Sequence, residues 1–219
     1  MTENIRKTAA FIKDKLLAEN NDDRFDWPYR YEHSLRVAGI GQKIAREEGL
    51  DEEALVIACL LHDIGYIACH CKEDHDVHGR FSALIAKKFL TSIGLEPERI
   101  ETICYGIKIH TEPEENYERT PTPFEVSIGD ADDIDRFDAY RLYSYLHHSC
   151  KMHDMTAMQI LETAEQRLVR CEEYMKRECG TKAATLLWRE RIGFQLEYFK
   201  RLRTQMGNMK LFCEELELS

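Results

Sequence analysis

The sequence predicts an all-α protein. Apolar side chains recur every three or four residues through most of the chain, the spacing of a helix face. No run of convincing length alternates polar and apolar residues as a half-buried strand would. Only five prolines and eleven glycines interrupt 219 residues. That length suits one large domain, or a core domain with an appended element. No internal repeat is visible.

The elements follow in order. Asn4 to Ala18 reads as an amphipathic helix with Ile5, Ile12 and Leu16 on its apolar side, and Glu19 to Asp26 as a polar loop. Pro28 suits a first helical turn. The helix it opens runs to Glu48, with Gly49 free to take the left-handed cap and with His33, Val37, Ile40 and Ile44 as the inward stripe. Asp51 caps a helix from Glu52 to about Asp63, whose ALVIACLL run is apolar all round and therefore marks the centre of a bundle. Residues 64–77 read as a polar loop. A helix over 78–90 carries His78, Ser82, Ile85 and Phe89 on one side. Pro97 opens another to about His110, with Ile103, Ile107 and His110 in register, and a proline-rich loop spans 111–122. Helices near 123–137 and 139–149 follow. Past residue 154, Leu161, Ala164, Leu168, Cys171 and Met175 form one stripe, and Trp188, Ile192, Leu196, Phe199 and Leu202 another. Two long antiparallel helices joined near Gly180 are expected, packed on the core or against a second copy as a homodimer.

Composition narrows the function. Hydrophobic residues make up 43% and charged residues 32%, the balance of a soluble globular protein. Thirty Lys and Arg against forty Asp and Glu leave a net charge of −10. A duplex nucleic acid or an anionic membrane needs surplus cations, so neither is an expected partner. The longest apolar run, Ala54 to Leu61, is far short of the roughly 20 residues that span a bilayer. The N-terminal residues hold no apolar core like that of a signal peptide, so a cytoplasmic location is expected. The eight cysteines should accordingly be reduced thiols, mostly small hydrophobes inside helices.

The placement of His and Asp is the informative feature. His33 lies on an inward stripe. His62 and Asp63 end the most apolar helix of the chain, where an unpaired carboxylate is costly to desolvate. His78 and His110 sit on the apolar sides of their helices, and Asp130, Asp132, Asp133 and Asp135 interrupt another apolar face. A lone buried His is more often a hydrogen-bonded core residue. Several of them on inward faces of separate helices are better explained by a divalent cation that offsets all these costs together.

His33, then His62-Asp63, then Ala131-Asp132, within HSLRVAGIGQKIA, ALVIACLLHDIGY, HGRFSALIAKKFL and SIGDADDIDRFDA, resembles the HD superfamily of metal-dependent phosphohydrolases, most nearly the small bacterial HD hydrolases. The resemblance covers residues 28 to about 150. It implies an HD-domain helical bundle over 28–150, with 1–27 packing on it as a helix and loop. Residues 151–219 then form a C-terminal long-helix pair. The implied ligands are His33, His62, Asp63 and Asp132 for one metal, with Asp130 as the competing carboxylate. In two-metal relatives, residues like His78 and His110 complete a second site bridged by Asp63; in one-metal relatives they face the substrate phosphate. Mn, Mg, Fe, Co and Ni all suit such a donor set.

The implied reaction is hydrolysis of a phosphate ester or phosphoanhydride, most plausibly of a nucleotide, by a metal-activated water. Asp63 would orient or deprotonate that water. Arg36, one turn beyond His33, is the expected cation for the developing charge, and Lys72, His75 and Arg80 are expected to face the substrate. Lys108 reads as surface. Two alternatives stay open: a mixed-valent di-iron oxygenase with the same six ligands, and a non-catalytic nucleotide-sensing module. Tyr66 stands where several relatives carry Lys or Glu, leaving the general acid–base unassigned. The ligand-dense loop Cys69-His70-Cys71 to His78 is expected to be a rim over the site rather than a zinc knuckle, because no second paired-cysteine unit accompanies it. His147, His148 and His153 read as surface residues.

Overall fold

A computed structural model describes residues 1–18, 25–140, 142–143 and 156–216. The helices are α1 (Glu3–Leu16), α2 (Trp27–Glu48), α3 (Glu52–Leu61), α4 (Lys72–Asp76), α5 (His78–Ser92), α6 (Pro97–Ile109), α7 (Pro123–Arg136), α8 (Ala157–Tyr174) and α9 (Lys182–Glu215). Short 3-10 turns occupy Ile64–Ala68 and Glu114–Asn116. No strand occurs among the described residues. The helix expected near 139–149 and the histidines at 147, 148 and 153 lie almost entirely outside them.

Two compact units form. The first is Met1–Asp135 with Cys179–Ala184, and the second is Arg136–Glu178 with Thr185–Ser219. The first unit thus includes α1 and ends inside α7, where a boundary near residue 150 is the sequence expectation.

Local chemistry sets the ends of the helices that carry the site. Asp26 accepts from the Tyr29 amide (3.0 Å) and Asp51 from the Ala54 amide (3.0 Å), satisfying N-terminal donors of α2 and α3. Gly49 closes α2 at φ 66°, a conformation other residues adopt only with strain. Every residue from Ala54 to Leu61 is buried, so α3 is the axis of the first unit, with α1, α2 and α6 packed around it.

The segment 64–77 departs from the loop reading. Ile64, Gly65 and Tyr66 are buried in the 3-10 turn, and α4 follows. Polar composition obscured a tightly bonded turn: the Asp74 carboxylate accepts from the amides of His70 (2.7 Å) and Cys71 (3.1 Å). Cys69 is buried with its thiol 3.5 Å from the Gly65 and Asp74 carbonyls. On α5 the buried stripe is His78, Ser82, Ala86 and Leu90, so Ile85 and Phe89 are only half-buried, and Phe89 stacks on Phe11 instead. Ile40 is likewise half-buried.

In the second unit Trp188 is the anchor. It is 1% exposed, donates its indole N–H to the Tyr174 carbonyl (2.6 Å) and packs edge-on against Phe137. Ala164, Leu168, Cys171, Ile192 and Phe199 are buried as expected, while Leu161, Leu196 and Leu202 are only half so. From Lys200 to Leu216 no residue of the chain is buried.

Candidate metal centre

Four imidazoles and two carboxylates converge in the first unit. His33 comes from the middle of α2, His62 and Asp63 from the end of α3, and His78 from the start of α5. His110 comes from the end of α6 and Asp132 from α7. His33 Nε2 lies 3.3 Å from His62 Nε2 and 3.0 Å from Asp132 Oδ1. His62 Nε2 is 3.4 Å from Asp63 Oδ1 and 3.8 Å from Asp132 Oδ1. Across Asp63, the same Oδ1 is 2.9 Å from His78 Nε2 and 4.0 Å from His110 Nε2, and those two nitrogens are 3.2 Å apart. Two overlapping groups have a spacing that would suit a metal ion: His33, His62 and Asp132, and His62, Asp63 and His110.

The outer ring nitrogens fix which atom faces inward. His62 Nδ1 is 2.7 Å from the Cys59 carbonyl, His78 Nδ1 2.6 Å from that of His75, and His110 Nδ1 2.5 Å from that of Ile107. A carbonyl only accepts, so Nδ1 carries a proton and each ring turns its Nε2 to the centre. Each of these carbonyls lies three residues before its histidine, at a helix end where carbonyls lack ladder partners.

The Nε2 atoms of His78 and His110 therefore face each other at 3.2 Å, beside a carboxylate oxygen. A cation placed between these donors would be held by all three. The donor set, imidazole plus carboxylate, fits a divalent transition metal. Burial and the neighbouring His62 and His78 push the His110 pKa down to about 4, so that ring is neutral near pH 7. His33 differs. Burial lowers its pKa, but the hydrogen bonds with Asp132 and Asp135 outweigh it and raise the value to about 9. Burial opposes ionisation of Asp63, yet His62, His78 and Arg30 hold its carboxyl well below the usual range.

The two aspartates of α7 part company, as their separation of roughly 200° around a helix requires. Asp132 faces His33 and His62, whereas Asp130 accepts the Gly180 amide at 2.8 Å. The cations expected to meet substrate lie elsewhere. Arg36 grips Asp135 through two hydrogen bonds (2.8 and 3.1 Å). Arg80 is paired with Glu112, and Lys108 with Glu118 (2.7 Å); Arg80 and Lys108 line a cavity of about 550 Å³ walled by Leu84, Leu95, Ile100 and Cys104. Lys72 is exposed on α4. His75 packs its ring against Phe25 and Tyr66. Among the described residues no metal-spaced group includes Cys69, His70 or Cys71.

Two participants escaped the sequence reading. Arg30 places its guanidinium 3.0 Å from Asp63 Oδ2 and over the ring of Tyr66 at 3.8 Å. Tyr66 stacks in turn on His78, with ring centroids 4.3 Å apart. Asp135 bonds His33 Nδ1 at 2.8 Å. A signal was available for both: Arg30 lies three residues before His33 and Asp135 three after Asp132, so each shares its ligand's helix face.

Helices that deliver His, His-Asp and Asp to one buried point define an HD-type centre. The HD domain family model matches residues 30–140, about half of the chain, and the chain belongs to that family. No curated protein matches it. Among solved structures it is similar to a predicted HD superfamily hydrolase from an uncultured Thermotogales bacterium, with 18% identity, 92% of each chain covered and a TM-score of 0.63. At that identity the likeness establishes the shared fold.

Proposed function

We propose that the chain is a metal-dependent phosphohydrolase that cleaves a phosphate ester or phosphoanhydride, with nucleotides as the first substrate class to test. One observation carries the reading: four inward-facing imidazole nitrogens and two carboxylates share a buried centre whose spacing suits a metal ion. Membership of the HD family supports it, as does the likeness to a protein described as a hydrolase.

On this reading His33, His62, Asp63 and Asp132 hold one divalent ion, and His78 and His110 extend the set toward a second. A bound divalent ion supplies a water of lowered pKa and positive charge for a phosphoryl oxygen. The protein supplies the rest. Asp63 stays ionised throughout the working pH range and orients the attacking water by accepting its hydrogen bond. Arg30, held by Asp63 and laid on Tyr66, is the cation best placed to meet charge developing on the phosphoryl group, in place of Arg36. Tyr66, its ring stacked on His78, carries a hydroxyl that can donate a hydrogen bond but offers no carboxylate base.

The test is metal analysis of purified protein with a phosphate-release screen over nucleotides and p-nitrophenyl phosphate in Mn²⁺. Release is expected from the wild type and not from His62→Ala or Asp63→Ala. Bound iron with oxygen consumption and no phosphate release would instead assign the di-iron class. Bound metal and nucleotide without turnover would assign the sensing module.

A further inference from the structure

His33 is chemically unlike the other three histidines. They end or begin helices and borrow a carbonyl three residues back. His33 sits in the middle of a 22-residue helix, where every nearby carbonyl already serves the backbone ladder. Its Nδ1 needs an acceptor from elsewhere, and the one it has is charged: Asp135 Oδ2 at 2.8 Å. Asp135 is 6% exposed. Arg36, one turn along α2 from His33, fixes it from the other side, with Nε 2.8 Å from Oδ1 and Nη2 3.1 Å from Oδ2. Arg36, Asp135 and His33 thus form a chain in which both oxygens of Asp135 have partners.

Resting on the metal-centre reading above, we propose that Asp135, clamped by Arg36, is the positioning residue of the site. It holds the His33 proton on Nδ1, aims Nε2 at the ion and, by its charge, makes that nitrogen the strongest imidazole donor of the four. A carboxylate behind a metal-binding imidazole typically changes affinity by about 10- to 100-fold when removed. Arg36 prevents the carboxylate from turning inward to compete for the ion. Neither residue touches substrate.

Calorimetric titration of the metal-free protein with Mn²⁺ tests this, comparing wild type with Asp135→Asn, Asp135→Glu and His62→Ala. Asp135→Asn keeps the shape and an acceptor but loses the charge, so about tenfold or greater weakening is expected, with partial recovery in Asp135→Glu. Equal affinity of wild type and Asp135→Asn would overturn the proposal. Wild type that binds no Mn²⁺ at all would instead overturn the metal-centre reading. Should Asp135→Asn fail to fold, wild-type protein loaded with Zn²⁺ and labelled at the imidazole nitrogens still decides. The His33 ring N–H is expected at lower field than those of His62, His78 and His110, because its acceptor alone is a carboxylate; a His33 signal among the other three refutes the role.

Discussion

Gly65→Ala places one methyl group where the first unit has no room for it. Gly65 follows Asp63 by two residues, in the 3-10 turn that lies against α5. A Cβ there would fall 2.3 Å from the His78 carbonyl oxygen, 2.5 Å from the Ser82 amide nitrogen and 2.7 Å from Ser82 Oγ. Ordinary contact begins near 3.4 Å, so the turn and α5 must separate by about 1 Å. Two of the three obstructing atoms are backbone and cannot rotate away. Overpacking of this kind costs roughly 1–3 kcal/mol. The buried hydrogen bond from the Gly65 amide to Ser82 Oγ, 2.8 Å long, is strained or lost as well, which adds about 1 kcal/mol. The total is about 2–4 kcal/mol. The same displacement pulls Asp63 from His78, whose facing atoms are 2.9 Å apart. Urea unfolding of the metal-free protein should therefore show the loss in stability. Mn²⁺ titration should show weaker binding in the half of the site that His78 serves. An unfolding free energy within about 0.5 kcal/mol of wild type, with unaltered Mn²⁺ affinity, would refute the steric reasoning.

Three further outcomes are expected. Asp132→Ala should release metal, while Asp130→Ala should retain it and lose about 1–3 kcal/mol with the Gly180 amide bond, both readable by metal analysis and urea melts. Arg30→Met should cut turnover by about 10²-fold or more and destabilise the metal-free protein, because Asp63, 2% exposed, loses its guanidinium; undiminished phosphate release would remove Arg30 from the reaction. The His33 pKa rises from 6.5 to about 9 in the folded, metal-free protein. The stability it confers is whole below about pH 6.5 and is lost as pH climbs through 9. The urea midpoint should fall across that window in wild type but not in His33→Gln, and Mn²⁺ affinity should rise over the same interval, since the ion displaces that proton.

The parts of this protein that were legible in its sequence are those written in local pattern. The ALVIACLL run announces a buried axis because no helix face of it is polar, and Asp51 and Gly49 mark helix ends through chemistry confined to a turn. His33, His62, His78, His110 and Asp132 stand out because each violates its apolar surroundings, and the structure draws them together. Asp130 and Asp132 separate by helix geometry alone. What stayed hidden depends on partners distant in the chain. Arg36 has the spacing of a substrate contact, but Asp135, 99 residues on, claims it. Arg80 looks available until Glu112 is placed beside it. The turn at 64–68 reads as loop because polar residues 70–76 follow it, although Ile64, Tyr66, Ile67 and Ala68 are themselves apolar.

The return of the polypeptide at 179–184 constrains how this protein can be cut. Gly180 gives its amide to Asp130, and Ala183 gives its own to Glu48 at 2.5 Å. A side chain at residue 180 would collide with Val126. The six-residue stretch is a brace threaded back under α7, the helix that bears Asp132. A fragment trimmed at residue 150, where sequence likeness to the family fades, would discard that brace and leave two carboxylates without their amides.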